Sequence, residues 1–232
     1  MANTNTYTFP EESKYENLEY AKIAYQIFVN DLKKSGTTRV CVFATIHEEA
    51  TNLLMELLEE SGIRGYVGKV SMNRNCPDTL LEKDAIQSIH RWLDQVKGKY
   101  KNIHPILTPR FIPSCSDEVL RELAIIQEEN HLPLQSHLSE NRSEIAWVKE
   151  LCPESSCYGD AYDRLHAFGS NGKTVMAHCV YSNEEESKLM KQRDVFIAHC
   201  PQSNTNRASG IAPVKRYLIE EQQHKMYDSM SM

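Results

Sequence analysis

The chain has 232 residues, 26 Lys and Arg against 32 Asp and Glu, and a net charge of −6 at pH 7. That acidic balance argues against a nucleic-acid scaffold held by a basic surface, and a mean hydropathy of −0.52 without a run of ~18 apolar residues argues against a transmembrane helix. With 41% hydrophobic and 25% charged residues the composition is that of an ordinary globular protein, a little short for a barrel enzyme of about 250 residues.

Met1–Thr6 carries no basic region followed by an apolar stretch, so no secretory signal is visible and a cytosolic location is expected. The seven cysteines (Cys41, Cys76, Cys115, Cys152, Cys157, Cys179 and Cys200) fall at irregular spacing, which reads as thiols in a reducing compartment. Cys152 and Cys157 form one close pair, whereas a zinc ribbon needs two. The spacing of Leu18, Ala21, Tyr25, Phe28 and Leu32 predicts a helix over Ser13–Lys34, with Ser13 as its cap. Thr37–Ile46 is apolar and β-branched and reads as a buried strand. A helix over Glu48–Glu60, a strand over Gly65–Ser71, a helix over Leu80–Lys97 and a strand over Ile103–Phe111 follow.

The alternation continues with a helix over Ser116–Asn130, a strand over Leu132–Leu138 and a helix over Ser143–Leu151. Next come a strand over Lys173–Cys179, a helix over Asn183–Lys191, a strand over Val195–Cys200 and a helix over Ala212–Gln222. The tail, residues 224–232, carries no signal and is expected to be loose. Strict alternation of apolar strands with helices means a parallel α/β sheet in one domain over residues 1–232. An open doubly wound sheet and a closed barrel both satisfy it. Gly62, Gly65 and Gly68 lack the spacing of a dinucleotide loop, which favours the barrel.

In a parallel barrel the chemistry sits at the C-terminal ends of the strands. Four of the six predicted strands end near a histidine, namely His47, His137, His178 and His199. Imidazoles gathered at one mouth are what a catalytic zinc needs, and zinc lowers the pKa of its bound water to about 7. A carboxylate that is not a ligand must then move protons, and Glu140 follows His137 by three residues. Arg110 suits a carbonyl or anionic edge and Phe111 can stack on a flat ring. Rival motifs fail. His47-Glu48 is not completed to HExxH because position 51 is Thr, and the cytidine-deaminase pattern fails at both His137-x-x-Glu140 and Cys152–Cys157.

TPRF (Thr108–Phe111), QSHLSEN (Gln135–Asn141), TVMAHC (Thr174–Cys179) and IAHCPQSN (Ile197–Asn204) together resemble the guanine deaminase family of zinc-dependent amidohydrolases. YTFP, FATIH and YVGKV fit the same family, so the resemblance runs over about residues 7 to 213. It implies a (β/α)8 barrel of the metal-dependent hydrolase type, with strands two to seven present here. It also implies hydrolytic deamination of guanine to xanthine and ammonia, with one zinc ion per site, and it accords with a homodimer. By the same resemblance His137 would be a zinc ligand, and His178 a ligand or a group beside the metal-bound water. Glu140 would shuttle protons, while Arg110, Phe111 and the run His137, Leu138, Ser139 and Glu140 would hold the purine. His199 and Asn204 would shape the mouth of the site without being ligands.

The family's first strand ends in His-x-His and its eighth in Gly-Thr-Asp, each carrying zinc ligands. Neither pattern occurs here, so both strands are expected to be missing, and Asp228, without Gly-Thr before it, is not assigned. Cys179 stands where the family has glycine. Two other readings therefore stay open: an inactive relative acting as a binding or oligomerising subunit, and a deaminase for another purine, a pterin or a triazine.

Overall fold

The computed structural model of the chain describes residues 4–219 and 226–228. They group into two compact units, divided between Thr108 and Pro109.

In the first unit, helix α1 (Phe9–Ser13) and a 3-10 turn (Lys14–Glu16) precede helix α2 (Leu18–Lys34). The expected cap at Ser13 is corrected. Asn17 caps α2, its Oδ1 accepting from Glu19 N–H at 2.9 Å and Tyr20 N–H at 3.1 Å. The Ser13 hydroxyl is spent on Phe9 O at 2.9 Å inside α1. Then come β1 (Arg39–Phe43), α3 (Glu48–Ser61), β2 (Arg64–Gly68), β3 (Val70–Ser71), α4 (Ala85–Val96) and β4 (Ile103–Pro105).

The strands β1, β2 and β4 form a parallel sheet in that order, with Arg39 opposite Arg64 and Gly65 opposite Ile103. Gly65 has φ +145°, and a Cβ there would stand 1.9 Å from Val40 O, so only glycine lets β2 approach β1 this closely. Ala21, Tyr25 and Val29 of α2, Leu54, Met55 and Leu58 of α3, and Trp92 of α4 bury against Val40, Val42 and Val67. Such a covered parallel sheet requires apolar strands.

The single strand expected over Gly65–Ser71 breaks at Lys69. Its ammonium is buried and pairs with Glu82, donating also to Val70 O at 3.2 Å, while Glu82 accepts from Met72 N–H at 3.0 Å. A buried charge must find partners, and here they draw the chain out of regular pairing. The helix expected from Leu80 begins only at Ala85.

β5 (Thr108–Pro109) lies at the division, so the strand expected over Ile103–Phe111 is also two short pieces. The second unit continues with α5 (Asp117–Asn130), β6 (Leu134–Leu138), α6 (Arg142–Leu151), α7 (Tyr158–Asp163), β7 (Thr174–His178), α8 (Glu184–Gln192) and β8 (Phe196–His199). It ends with α9 (Pro201–Asn206), α10 (Val214–Ile219) and β9 (Met226–Asp228). Ser116 caps α5 as expected, accepting from Val119 N–H at 3.3 Å. Asn141 and Asn183 cap α6 and α8 in the same way.

The sheet is parallel in the order β6-β7-β8-β9, with Leu134 opposite Thr174, Val175 opposite Phe196, and Ile197 opposite Met226. Helices α7 and α9 are additions that sequence periodicity did not show, each being only six residues long. The stretch expected to be a loose tail instead places Met226–Asp228 in β9, with Asp228 opposite His199 in register. Residues 220–222 of the predicted last helix, and 224, 225 and 229–232 of the tail, lie outside the described residues.

The architecture is thus α/β with parallel sheets and, among the described residues, no closed barrel. No described helix is long and apolar enough to cross a membrane.

Candidate functional site

The second unit gathers polar side chains where β6, β7 and β8 end. His137 and His178 sit on adjacent strands, one register step apart, because Ala177 faces His137 and His178 faces Leu138. Their rings stack with centroids 5.3 Å apart and planes 18° from parallel. Each ring has its Nδ1 committed. His137 Nδ1 lies 2.7 Å from Arg110 O, and His178 Nδ1 lies 2.7 Å from Asn204 Oδ1. Both partners are oxygen acceptors, so both Nδ1 atoms carry the proton and both Nε2 atoms bear the lone pair. His178 Nε2 is buried without a hydrogen-bond partner and lies 4.0 Å from Glu140 Oε2.

Burial holds both imidazoles neutral. His137 is pushed well below the ordinary histidine value by desolvation, then by His178; its bond to Arg110 O opposes this. For His178 desolvation also lowers the value, opposed by the charge of Glu140 and the bond to Asn204. The exposed Arg207 adds positive potential that lowers both. The result is two neutral rings, with the unbonded Nε2 of His178 beside a carboxylate, an arrangement able to bind a cation or to accept a proton.

Glu140 is buried and receives the Ser209 hydroxyl on Oε1 at 3.0 Å, which leaves Oε2 facing His178. Ser139, just before it, has φ +48°, and His178 and Cys179 have φ +75° and +48°. Left-handed backbone at non-glycine residues costs about 1–3 kcal/mol each and gathers at functional sites. Neighbouring groups hold these turns in place. Ser139 Oγ donates to Glu186 at 2.8 Å, and the same carboxylate takes Gly159 N–H at 2.8 Å. Cys179 O accepts the Tyr217 hydroxyl at 2.6 Å. At Cys179 the chain therefore adopts a glycine-like conformation without glycine.

Arg110 meets His137 through its backbone carbonyl, which also accepts from Ser136 Oγ at 3.2 Å. Phe111 is half-buried, edge-on to Trp147 with centroids 5.9 Å apart. Leu138 is fully buried. His199 ends β8 with a buried Nδ1 that has no hydrogen-bond partner. His47, in the first unit, ends up at the N-terminus of α3, where burial lowers its pKa.

Ser209, Tyr162 and Glu144 were not singled out from sequence, and Asn204 was expected only to shape the mouth. Ser209 fixes Glu140, and Asn204 orients His178 rather than merely shaping a mouth. Tyr162 is fully buried, bonds Ser136 Oγ at 2.7 Å and donates to His137 O at 3.1 Å. Glu144 is buried near Glu140, and desolvation followed by that neighbouring charge pushes its carboxyl up to about 8. The four-residue spacing from Glu140 to Glu144 was the available signal for Glu144; long-range partners such as Ser209 leave none.

Among the described residues, no group of three or more His, Cys, Asp or Glu side chains stands together as a metal cage. His137 and His178 offer two ring nitrogens, one fewer than the three protein ligands of a usual catalytic zinc site. The described side chains alone do not fit a complete zinc centre.

A model of the amidohydrolase family matches residues 2–227. The guanine deaminase of Dictyostelium discoideum is 40% identical over 215 residues, covering 91% of this chain and 47% of that protein. The guanine deaminase of Escherichia coli strain K12 is 38% identical over 216 residues, covering 91% and 48%. The crystal structure of a guanine deaminase from C. acetobutylicum with guanine bound in its active site superposes with a TM-score of 0.93 at 46% identity, over 97% of this chain and 54% of that one. The chain spans about half the length of the curated relatives it matches.

Proposed function

Since the chain belongs to the amidohydrolase family, we propose that it carries the purine-binding and proton-transfer part of a guanine deaminase, converting guanine and water to xanthine and ammonia. The observation that carries this reading is the buried group at the ends of β6 and β7. Two stacked neutral imidazoles stand there, and the unbonded Nε2 of His178 lies 4.0 Å from Glu140, on a chain 46% identical to a structure that holds guanine. The chain is proposed as a single amidohydrolase domain carrying strands two to seven of a partial (β/α)8 barrel; the family match across residues 2–227 supports that assignment.

In this reading Arg110 and Phe111 hold the purine, the cation on its carbonyl edge and the ring on its face. His137, Leu138 and Ser139 line the floor beside Glu140. Water adds to the carbon that bears the exocyclic amine, and its proton passes through Glu140 to the adjacent ring nitrogen. The new hydroxyl then gives its proton, again through Glu140, to the amino group, which departs as ammonia and leaves a carbonyl. Glu140 suits this role because Ser209 fixes one oxygen while the other faces the reaction space. His178, fixed by Asn204, can accept a hydrogen bond from the attacking water at Nε2.

Zinc is proposed as the metal, with His137 as a ligand, His178 as a ligand or water contact, and the remaining ligands from outside the described residues. When bound it would supply an acidic water at neutral pH. A cytosolic location is proposed from the composition. The test is xanthine and ammonia release from guanine by the zinc-loaded protein beside Glu140→Gln. Turnover lost in the variant is expected, and equal turnover in both would overturn the role of Glu140.

A further inference from the structure

Beside the site, α6, the turn after β7 and the segment leading into α10 border an open cleft of about 660 Å³. Three cations line it (Arg142, Lys149 and Arg216), and no Asp or Glu does among the described residues. In a chain of net charge −6 such a one-signed cleft is unexpected. Arg142 is exposed, its guanidinium stacked on Tyr181 at 4.6 Å from the ring centroid, and no carboxylate among the described residues pairs with it. Arg216 is anchored by bonds to Ser182 O and to Ser187 Oγ, and its buried Nε has no hydrogen-bond partner. Lys149 spends two donors on Pro153 O at 2.9 Å and Ser155 O at 2.6 Å, and a third proton remains. The nearby Glu186 is engaged by Ser139 and Gly159.

Three cations with no described carboxylate in the lining select a ligand of opposite charge that accepts hydrogen bonds, which means an oxyanion. The volume decides how much more the ligand carries. A free phosphate would fill a small part of 660 Å³, which lies within the range of about 300–1,000 Å³ typical of small-molecule sites. Val180, Ile211 and Pro213 supply an apolar wall for a ligand body, and Ile211 is 92% exposed. We infer that this cleft is a binding site for a phosphate monoester of nucleotide size, with Arg142 and Arg216 on the phosphate.

The site is separate from the purine site but physically joined to it. Ser209, which fixes Glu140, is followed by Gly210, where a Cβ would meet the Tyr181 hydroxyl oxygen at 2.8 Å, and then by Ile211 on the cleft wall.

The test is calorimetric titration of the full chain with uridine 5′-monophosphate, guanosine 5′-monophosphate, uridine and inorganic phosphate, at constant ionic strength set with chloride. Uridine 5′-monophosphate is not a purine, so the result does not depend on guanine binding or turnover. Saturable binding of either monophosphate, absent with uridine and weakened about tenfold or more in Arg142→Glu, is expected. Competition by inorganic phosphate would identify free phosphate as a second source of the same chemistry and supports the site. Arg142→Gln, which removes the charge without reversing it, guards against misfolding of the charge-reversed chain. No saturable binding of either monophosphate, or unchanged affinity in both Arg142 variants, would overturn the inference.

Discussion

Replacing Glu144 by Gln keeps the side chain's shape and removes its ability to ionise. In the folded chain burial and the neighbouring Glu140 raise this carboxyl from 4.5 to about 8. Ionising it there is therefore about 5 kcal/mol costlier than in the unfolded chain. The sign follows from the raised value. Between pH 4.5 and about 8 the folded chain holds a proton that the unfolded chain releases. The stability due to Glu144 is therefore fully present below pH 4.5 and lost as pH rises through the folded-state value. By pH 7 the loss is about 3 kcal/mol, and at pH 5 under about 1 kcal/mol. Gln escapes it and can still accept from Asn141 Nδ2, now 3.4 Å from Glu144 Oε2. Urea unfolding at pH 5 and pH 7 reads the difference directly. Glu144→Gln should match the parent at pH 5 and exceed it by up to about 3 kcal/mol at pH 7. An equal difference at both pH values, or a less stable variant at pH 7, would refute the reasoning.

Three further outcomes follow from the same contacts. His137 and His178 have lowered folded-state values, so the stability they contribute is present above about pH 6.5 and is lost on acidification; His178→Gln should flatten that acid limb in urea titrations. Ser209→Ala removes a hydrogen bond to a carboxylate and should cost about 1.5–3 kcal/mol in unfolding free energy, together with a fall in guanine turnover. Asn204→Ala should release His178 from its single tautomer, seen as a change in the ring-nitrogen shifts by long-range nitrogen–proton NMR, with the His137 shifts largely retained.

The alternation of apolar strands with amphipathic helices was legible because β1, β6, β7 and β8 are short buried runs whose pattern is local. Caps at Ser116 and Asn183 were legible or nearly so, since a cap is set by its own few residues. Asn17 was missed because Ser13 offered an equally good local signal, whereas in the structure the Ser13 hydroxyl bonds Phe9 O within α1. The break at Lys69 depends on Glu82, thirteen residues away, and no window around β2 contains that partner. Likewise β9 is paired by β8, while Met226–Asp228 alone has too little length to read as a strand. In the site the acid and the imidazoles were visible as motif residues. Their orientation was not, because it comes from Asn204, Ser209 and the Arg110 carbonyl, groups whose identity in sequence is ordinary.

The central claim is that a purine binds against Arg110 and Phe111 with its amino-bearing carbon toward Glu140 and His178. A crystal structure of zinc-loaded Glu140→Gln grown with guanine tests it most directly. The account predicts guanine density stacked on Phe111, its carbonyl edge at Arg110 and its amino-bearing carbon nearest residue 140. Guanine bound elsewhere on the chain, or no guanine at saturating concentration, would contradict it.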